Sequence, residues 1–419
     1  MPKRILLLAA TTGYQTRAFA AAGERIGYTV QLATDRCPVL DNPWGDHAVP
    51  LRFDRPEAAA STIAKAAAKL GGFDGVAAVG DRPAHLAAVA ARALGLPYHS
   101  PESVLNCRSK YLARERFREA GLNVPAYRRV AIDADASAAA QTERYPCVLK
   151  PLGLSASRGV IRANNPEEFE AAFDRIRRIL ASPDIVRMHE DQDRFIQVEN
   201  YIAGREFAVE VLMTRGTFRA VALFDKPDPL EGPFFEESIY VTPSRAAEPV
   251  QRAILDTTRR ALDALGLSHG PVHAEMRVNE NGVWMLEAAA RPIGGLCAQA
   301  LKFRSGLGLE QVILRHAAGD DPGSLELREP SRGVMMIPIP RSGVYAGVRG
   351  VQDAEAVPGI ESVAITAKEG QTLLKLPEGS SYLGFVFASG PTPEMVDGSL
   401  RAAWSRLSFE ISEVLPVMR

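Results

Sequence analysis

A lysine at the end of an apolar run, directly before a glycine- and serine-rich stretch, is the first feature that could do chemistry. It lies in VLKPLGLSASRGV, residues 148–160, where Lys150 precedes Ser155, Ser157 and Gly159. Those hydroxyl and backbone N–H groups could bind phosphate oxygens. In a Walker-type loop the lysine follows the glycines and opens a helix, whereas here it comes first. The pattern therefore indicates a nucleotide site of another type, with a solvated lysine at a strand end as the alternative.

Two acidic residues lie on either side of a predicted turn in FIQVENYIAGREFAVEVLM, residues 195–213. Glu199 precedes the Ala-Gly pair of the turn and Glu206 follows it, and we expect a binding role for both. Alternation along a strand places Glu206 and Glu210 on one face. Because exposed strand faces carry acids routinely, Glu210 is expected to face solvent.

A pair of carboxylates is predicted to meet across a hairpin at residues 271–289. Residues 280–282, Glu-Asn-Gly, fit a three-residue loop, and counting back from that loop sets Glu275 opposite Glu287. Carboxylates about 5 Å apart repel unless a cation lies between them. Carboxylate oxygens suit magnesium, particularly where substrate phosphates complete the octahedron, so we predict a magnesium site. A register shifted by one residue, with one acid in solvent, is the alternative.

Arg291 and the loop at residues 224–244 extend this candidate site. Arg291 follows Glu287 by four residues, and its planar guanidinium can donate two parallel hydrogen bonds to phosphate or to an oxyanion. The loop is aromatic and acidic, so we expect it to line a substrate pocket in which Glu236 or Glu237 binds an ammonium group, unless both are solvated. Four aromatic residues favour an acid with an apolar or aromatic body: Phe224, Phe234, Phe235 and Tyr240.

The elements that position these residues begin with an α/β pattern. Compact apolar runs at 3–9, 28–34 and 75–80 alternate with alanine-rich helical stretches at 16–26 and 83–95. This alternation is typical of βαβ units around a parallel sheet. The first loop, TTGYQT, lacks GxGxxG, so it carries no dinucleotide fingerprint.

An α+β pattern follows. Ser109 and Asn165 are predicted N-caps, and Asn165 is followed by a proline and two acids in the first turn. A long helix at about 246–265 precedes the hairpin. From about residue 331, short β runs and a final helix from Thr392 indicate a third, smaller α+β unit.

Composition excludes several classes of protein. The chain has 419 residues, enough for more than one domain, and its 49 basic and 50 acidic side chains leave a net charge of −1. Nothing in this balance indicates a nucleic-acid or membrane partner. The N-terminal apolar run is short and a Gly-Tyr-Gln turn follows it, so we expect a first strand and not a signal peptide. No segment has the length of a membrane span. The four cysteines are scattered and are predicted to be reduced thiols of a cytoplasmic protein: Cys37, Cys107, Cys147 and Cys297.

The candidate residues, taken in order, resemble the motifs of the ATP-grasp superfamily. The set is Lys110, Lys150 with its loop, Glu199-Asn-Tyr-Ile, Gly204-Arg-Glu206, Glu275, Glu287 and Arg291. The resemblance covers essentially the whole chain. It implies a pre-ATP-grasp α/β domain at 1–105, an ATP-grasp module of two α+β subdomains at 106–330, and a C-terminal α+β accessory domain at 331–419. The smaller lid subdomain is expected at about 125–200, and the accessory domain is similar to that of L-amino-acid ligases.

The resemblance also implies a role for each residue of the set. Lys110 and Lys150 would contact the α- and β-phosphates of ATP, and the loop at 153–159 would close over the β/γ end. Glu199 would accept a hydrogen bond from the adenine amino group, and Glu206 would accept from the ribose hydroxyls. Two further residues would lie beside the base: Tyr201 and Ile202.

The implied metal ligands are Glu275 and Glu287, which would hold one or two Mg²⁺ ions, with Mn²⁺ as a substitute. Many superfamily members carry an asparagine two residues after the second metal glutamate, but this chain has Ala289. The change leaves a second ion with one fewer protein ligand. It also favours the amino-acid ligases, which EAAARPIGG resembles better.

The implied reaction joins a carboxylate, expected to be that of an amino acid, to an amine. ATP is consumed, ADP is released, and an acyl phosphate that Arg291 stabilises is the intermediate. The expected partners are therefore small molecules; a homodimer is one option for an oligomeric state that the sequence leaves open. Two alternatives stand: a ligase of purine or cofactor biosynthesis that acts on a phosphorylated substrate, and a non-catalytic ATP-binding regulator.

Overall fold

The structure is a computed structural model that describes residues 2–10, 14–35, 48–188 and 190–413. Four sheets organise this part of the chain. Three of the cysteines, Cys107, Cys147 and Cys297, are buried free thiols, and Cys37 lies outside the described residues. None of the helices in the described ranges is long and apolar enough to cross a membrane.

The N-terminal region is a βαβ arrangement, which confirms the predicted α/β pattern. Its elements are β1 (Arg4–Ala9), α1 (Tyr14–Arg25), β2 (Thr29–Thr34), β3 (Val49–Pro50), α2 (Pro56–Leu70), β4 (Gly75–Val79) and α3 (Asp81–Leu94). The sheet has the order β3-β2-β1-β4, and all of its strand pairs are parallel. Parallel strands bring their carboxyl ends to one edge, and there the loop after β4 positions Asp81.

Two helices lead from this sheet to the next: α4 (Pro101–Arg108) and α5 (Lys110–Glu119). The predicted N-cap of α5 is confirmed, because the Ser109 hydroxyl accepts a hydrogen bond from the Leu112 N–H at 3.4 Å. Lys110 and Arg114 are four residues apart on α5, so the two cations lie on one face of the helix.

A small antiparallel sheet with its helices forms the unit that we call the lid, residues 127–200. Its elements are β5 (Tyr127–Ala131), α6 (Ala136–Ala140), β6 (Cys147–Pro151), β7 (Ile161–Ala163), α7 (Pro166–Leu180), α8 (Pro183–Val186), a 3-10 helix (Asp191–Arg194) and β8 (Phe195–Asn200). The strand order is β5-β8-β6-β7. Asn165 caps α7 as predicted, accepting from the Glu168 N–H at 2.9 Å. Phe169 and Phe173 of α7 are buried in the core beneath this sheet.

The largest sheet has eight strands and extends over most of the remaining chain. Its first part comprises β9 (Arg205–Thr214), β10 (Thr217–Lys226), β11 (Ile239–Thr242), α9 (Glu248–Leu265), β12 (Gly270–Asn279), β13 (Gly282–Ala289), a 3-10 helix (Cys297–Ala300) and α10 (Leu309–Ala317). The later elements are β14 (Ser331–Ile337), β15 (Gly343–Arg349), α11 (Val351–Glu355), β16 (Ile360–Ile365), β17 (Thr372–Leu373), β18 (Gly384–Gly390), α12 (Pro393–Trp404) and β19 (Ser408–Ser412).

Hydrogen bonding in this sheet continues across residue 330. The strand order is β13-β12-β9-β10-β11-β14-β18-β16, and β11 pairs antiparallel with β14. Between residues 331 and 413, β17, β15 and β19 form a separate sheet. The final α+β elements therefore extend the preceding sheet, and a domain boundary at 330 stays a prediction.

The hairpin of β12 and β13 corrects one expectation. Asn279 lies opposite Gly282, so the loop has two residues and not the predicted three. A bulge between Met276 and Glu275 then shifts the register by one residue and sets Glu275 opposite Glu287 after all. The predicted turn is therefore wrong. The predicted pair is nevertheless confirmed, because the bulge compensates for the residue by which the loop is shorter than predicted.

Candidate active site

A cavity of about 310 Å³ lies among the N-terminal sheet, the lid and the largest sheet. The residues that line it come from all three, and they include twelve of the predicted site residues: Lys110, Lys150, Ser155, Ser157, Glu199, Tyr201, Ile202, Glu206, Glu237, Glu275, Glu287 and Arg291. Gly159 and Glu236 are not among the described residues that line it. The Gly159 N–H instead donates to the Pro377 carbonyl at 2.9 Å.

Glu199 is the centre of a buried ion-pair network. Its side chain is 2% exposed and accepts from Nε of Arg114 at 2.7 Å and from Nζ of Lys150 at 2.6 Å. Although burial alone would raise the pKa of this carboxyl, Arg114 and Lys150 outweigh it and bring the pKa to about 2. Glu199 is therefore a fixed carboxylate that orients Lys150 toward the cavity.

Arg114, which pairs with Glu199, is a site residue that was not predicted from the sequence. Its guanidinium is almost completely buried, and Nη1 donates to the Leu286 carbonyl at 3.0 Å. Leu286 is the extra residue of the β13 bulge, so Arg114 satisfies a carbonyl at the irregular point of the ladder. The four-residue spacing from Lys110 on α5 is the signal that could have identified it.

Lys226 is a second missed residue, and it lies among three carboxylates. Its Nζ is 2.8 Å from Glu206, 2.7 Å from Glu237 and 3.3 Å from Glu275. Burial disfavours the charged ammonium, but the three acids raise the pKa of Lys226 well above its ordinary value. Burial and the nearby Glu275 carboxylate raise the pKa of Glu237 to about 7. Lys226 is the last residue of β10 and lies opposite Glu206 on β9, and this position is the signal that could have identified it.

The facing pair, Glu275 and Glu287, lies at the edge of this cluster. Glu275 accepts from Nε2 of His273 at 2.9 Å, and Glu287 lies 3.8 Å from Nζ of Lys110. Oxygens of Glu206, Glu237 and Glu275 lie within 4.8 Å of one another, but the Lys226 ammonium already lies among them. The hard carboxylate oxygens of Glu275 and Glu287 suit a divalent cation such as magnesium. Ala289 is buried and offers no further side-chain oxygen.

Glu210 is buried, which corrects the expectation that it faces solvent. Strand β9 is central in the sheet, and its two faces contribute to two different hydrophobic clusters, one with Val209 and the other with Ala208. The Glu210 carboxylate pairs with Nδ1 of His273 and accepts from the Ile293 N–H at 3.1 Å. Burial opposes charging of His273, but the flanking Glu210 and Glu275 raise its pKa to about 10.

Arg291 is held by a residue of the N-terminal region. Its Nε lies 2.9 Å from Oδ1 of Asp81, and Nη2 lies 3.4 Å from Oδ2. Burial disfavours the charged guanidinium, but Asp81 outweighs it and raises the pKa of Arg291. Asp81 was not predicted, although its place directly after the third apolar run, at the carboxyl end of β4, was the available signal.

The aromatic lining is smaller than the sequence suggested. Phe235 and Tyr240 line the cavity, and Phe235 stacks on Tyr201 with ring centroids 6.4 Å apart. Phe224 is fully buried against Tyr240, and Phe234 packs outside the cavity. Phe224 and Lys226 share one face of β10, but Phe224 lies two residues further from the strand end and packs in the core, whereas the Lys226 ammonium reaches the carboxylates at that end.

Comparisons with known proteins fit this geometry. The model of the ATP-grasp domain matches residues 143–300, and the model of the L-amino acid ligase C-terminal domain 2 matches residues 335–412. The crystal structure of an L-amino acid ligase from Bacillus licheniformis superimposes with a TM-score of 0.79 at 25% identity, over 98% of this chain and 99% of that one. An N5-carboxyaminoimidazole ribonucleotide synthetase from Thermotoga maritima shares the fold, with a TM-score of 0.69 at 16% identity over 98% of this chain and 100% of that one.

Curated relatives match shorter segments. An alanine–anticapsin ligase of Bacillus subtilis is 28% identical over 240 residues, which are 54% of this chain and 50% of that protein. An uncharacterized protein of Sinorhizobium fredii is 24% identical over 321 residues, 77% of this chain and 65% of that one. The chain thus covers less than two thirds of the length of these two relatives.

The chain therefore contains an ATP-grasp domain, which is followed by a C-terminal domain of the L-amino acid ligase type.

Proposed function

We propose that the protein is an ATP-dependent, ADP-forming ligase that joins the carboxylate of an amino acid to an amine. The observation that carries the proposal is the convergence on one cavity of Lys150, the opposed Glu275 and Glu287, and Arg291. Phosphoryl transfer depends chiefly on positioning and charge neutralisation, which such a set supplies. The L-amino acid ligase structure resembles this chain more closely than the Thermotoga synthetase does, and this difference favours an amino acid over a phosphorylated substrate.

In this proposal the nucleotide binds between the lid and the largest sheet. Lys110 and Lys150 bind the α- and β-phosphates, and the hydroxyls of Ser155 and Ser157 bind the β/γ end. The Gly159 N–H donates to the Pro377 carbonyl, so Gly159 contributes to this end of the site by shaping the loop. The adenine amino group donates to Glu199 and the ribose hydroxyls to Glu206. The base lies beside Tyr201 and Ile202.

Glu275 and Glu287 are the proposed ligands of magnesium. Glu287 is the less constrained of the two, because its nearest cation, Lys110, lies 3.8 Å away. One or two ions are compatible with these acids, although Ala289 removes a ligand that a second ion would use. When bound, magnesium supplies neutralisation of the charge on the transferred phosphoryl group.

The reaction proceeds in two steps. A carboxylate oxygen of the first substrate attacks the γ-phosphorus, and the bond to ADP breaks, which leaves an acyl phosphate. The amine nitrogen of the second substrate then attacks the acyl carbon, the amine loses a proton, and inorganic phosphate departs. The planar guanidinium of Arg291, oriented by Asp81, donates to the acyl phosphate and to the oxyanion of the second step.

The substrate side of the cavity suits an amino acid with an uncharged side chain. Tyr14, Met336 and Tyr382 line that side, and they offer little charge. Glu237 is the proposed partner of the α-ammonium group, since its oxygens accept from Lys226 and Tyr240 and retain further lone pairs. Glu236 lies outside the lining, so we assign it no contact with the first substrate.

Hydroxylamine tests this function, because it can replace the amine and trap the acyl phosphate as a hydroxamate. We expect hydroxamate, ADP and phosphate to form in equal amounts when uncharged L-amino acids are screened with ATP and Mg²⁺. AMP and pyrophosphate among the products would refute the mechanism. Activation of phosphorylated acids alone would support the purine-type ligase, and nucleotide binding without turnover on any acid would support a regulator.

A further inference from the structure

A turn of the C-terminal region contacts the loop at residues 153–159 of the lid, which we call the phosphate loop. This turn, residues 374–380, follows β17, and we call it the clasp. Its Pro377 carbonyl accepts from the Gly159 N–H at 2.9 Å, and its Glu378 carbonyl accepts from Nε of Arg158 at 2.8 Å. The two donors are adjacent residues at the end of the loop that follows Lys150. The clasp therefore fixes the end of the phosphate loop.

The Glu378 side chain makes a second connection to the lid. Its carboxylate pairs with Arg175 of α7 through two parallel hydrogen bonds, at 2.6 and 2.9 Å. Such a bidentate pair fixes orientation better than a single contact does. One residue of the clasp thus holds both the phosphate loop, through its carbonyl, and the helix behind that loop, through its carboxylate.

The clasp is itself a tight turn. The Gly379 N–H donates to the Lys375 carbonyl at 3.0 Å, and the Lys375 N–H donates to the Ser342 hydroxyl at 3.1 Å. A Cβ on Gly379 would lie 1.8 Å from the Leu374 carbonyl oxygen, so a larger residue cannot occupy that position without moving the turn. The turn therefore presents its Pro377 and Glu378 carbonyls in a fixed direction.

The phosphate loop needs support from outside. Ala156 and Ser157 both have left-handed backbone conformations, with φ of 53° and 55°. Residues other than glycine rarely adopt this conformation, because it crowds Cβ against the backbone, and such residues persist only where the surroundings hold them. Arg158 and Gly159 follow directly, so the clasp contacts are placed where they can maintain this conformation.

We propose that Glu378 is a positioning residue that holds the phosphate loop in its nucleotide-binding shape. Through Glu378, the C-terminal region then contributes to nucleotide binding indirectly, because this residue holds the loop and does not itself contact the nucleotide. Ser380, the last residue of the clasp, and Tyr382, which follows it, line the cavity, so the same segment connects the substrate side to the phosphate loop. This inference rests on the proposed function, because it assumes that the loop binds the phosphates of ATP.

Glu378→Gln tests the proposal, because it keeps the size of the side chain and removes its charge. We expect KM for ATP to rise about 3- to 10-fold, with a smaller fall in kcat. Amide hydrogen exchange at residues 155–160 of the nucleotide-free protein should rise by a similar factor, most clearly at Gly159. Glu378→Asp should restore part of both effects. Glu355→Gln is the matched control, since Glu355 is an exposed acid of α11.

Two results would overturn the proposal. One is unchanged exchange at 155–160 together with an unchanged KM for ATP. The other is a lower melting temperature with an unchanged KM, which would restrict Glu378 to a role in folding. The exchange measurement needs no turnover, so it separates failure of the clasp from failure of the proposed ligase activity. Gly379→Ala provides a second variant, and it should reproduce the exchange effect without altering a charge.

Discussion

Glu199→Gln should destabilise the protein strongly, because it leaves two buried cations without a counter-charge. Removing one partner of a buried ion pair costs about 3–5 kcal/mol. The pKa gives a similar figure: a folded value of about 2 against an ordinary 4.5 corresponds to about 3 kcal/mol of stability. The two routes agree because both report the attraction of Arg114 and Lys150 for one carboxylate.

The pH dependence of this effect has a definite sign. Folding lowers the pKa of Glu199, so its stabilisation is fully present above about pH 4.5 and is lost as the pH falls toward 2. The difference in unfolding free energy between wild type and Glu199→Gln should therefore be largest at neutral pH and should narrow between pH 5 and pH 3. Urea titration followed by circular dichroism measures it.

A control isolates the effect of burial. Glu119→Gln removes an acid from the same region, but the pair of Glu119 with Arg116 is about half exposed. Exposed pairs contribute little, so this variant should unfold with wild-type stability. If Glu199→Gln were as stable as Glu119→Gln at neutral pH, or if its deficit did not narrow in acid, the network around Glu199 would not be the one described.

Two further predictions concern catalysis and the response to acid. Glu287→Gln should abolish hydroxamate formation, while nucleotide binding, measured as a thermal shift with ATP and Mg²⁺, survives in weakened form. Arg291→Lys should also lose most turnover, because the point charge of a lysine cannot replace the planar guanidinium. Near-wild-type rates in either variant would contradict the assigned roles. The free energy of unfolding should also fall as the pH drops from about 6.5 toward 4. Burial lowers the pKa of His99 to about 3 and that of His316 to about 4, so the unfolded chain binds protons at a higher pH than the folded one. A urea midpoint that did not change between pH 7 and pH 5, or whose change was the same in His316→Gln, would contradict this.

Local signals in the sequence were sufficient for most elements. Apolar runs and caps gave β1, β2 and β4, the start of α5 at Ser109, and the start of α7 at Asn165. These features depend on neighbouring residues, so a local pattern determines them. The continuation of the largest sheet across residue 330 depends on pairing between β11 and β14, about 90 residues apart, and no local pattern encodes it.

The site divides in the same way. Residues at strand ends and beside glycine-rich turns, such as Lys150 and Glu287, carry a local signal and were predicted. Arg114, Asp81 and Lys226 act through partners that lie far away in sequence, and their importance appears only when the sheets are assembled. Glu210 was misjudged for the same reason, because burial of both faces of β9 depends on elements that pack on it later in the chain.

When all of its acidic and basic groups are ionised, the charges of the candidate site balance before any nucleotide binds. Seven basic side chains lie in or against the cavity: Lys110, Arg114, Lys150, Lys226, His273, Arg277 and Arg291. Seven acids accompany them: Asp81, Glu199, Glu206, Glu210, Glu237, Glu275 and Glu287. A nucleotide adds several negative charges to this balanced site, so some cations must change partners or further cations must enter with it.

The geometry indicates which cations can change partners. Arg114 pairs with Glu199, and Arg277 pairs with Glu206 at 2.9 Å. Both arginines are buried and also donate to backbone carbonyls, so these two acids keep a counter-charge whatever binds. Lys110 and Lys150 have flexible stems and single acidic partners, at 3.8 and 2.6 Å, and both line the cavity. The ammonium groups of these two lysines can therefore move to bind phosphate oxygens, and Glu199 still keeps Arg114 as its counter-charge. The remaining negative charge then falls near Glu275 and Glu287, and two acids beside phosphate oxygens are stable only with a cation among them. Nucleotide binding at this site should therefore be strongly dependent on a divalent metal.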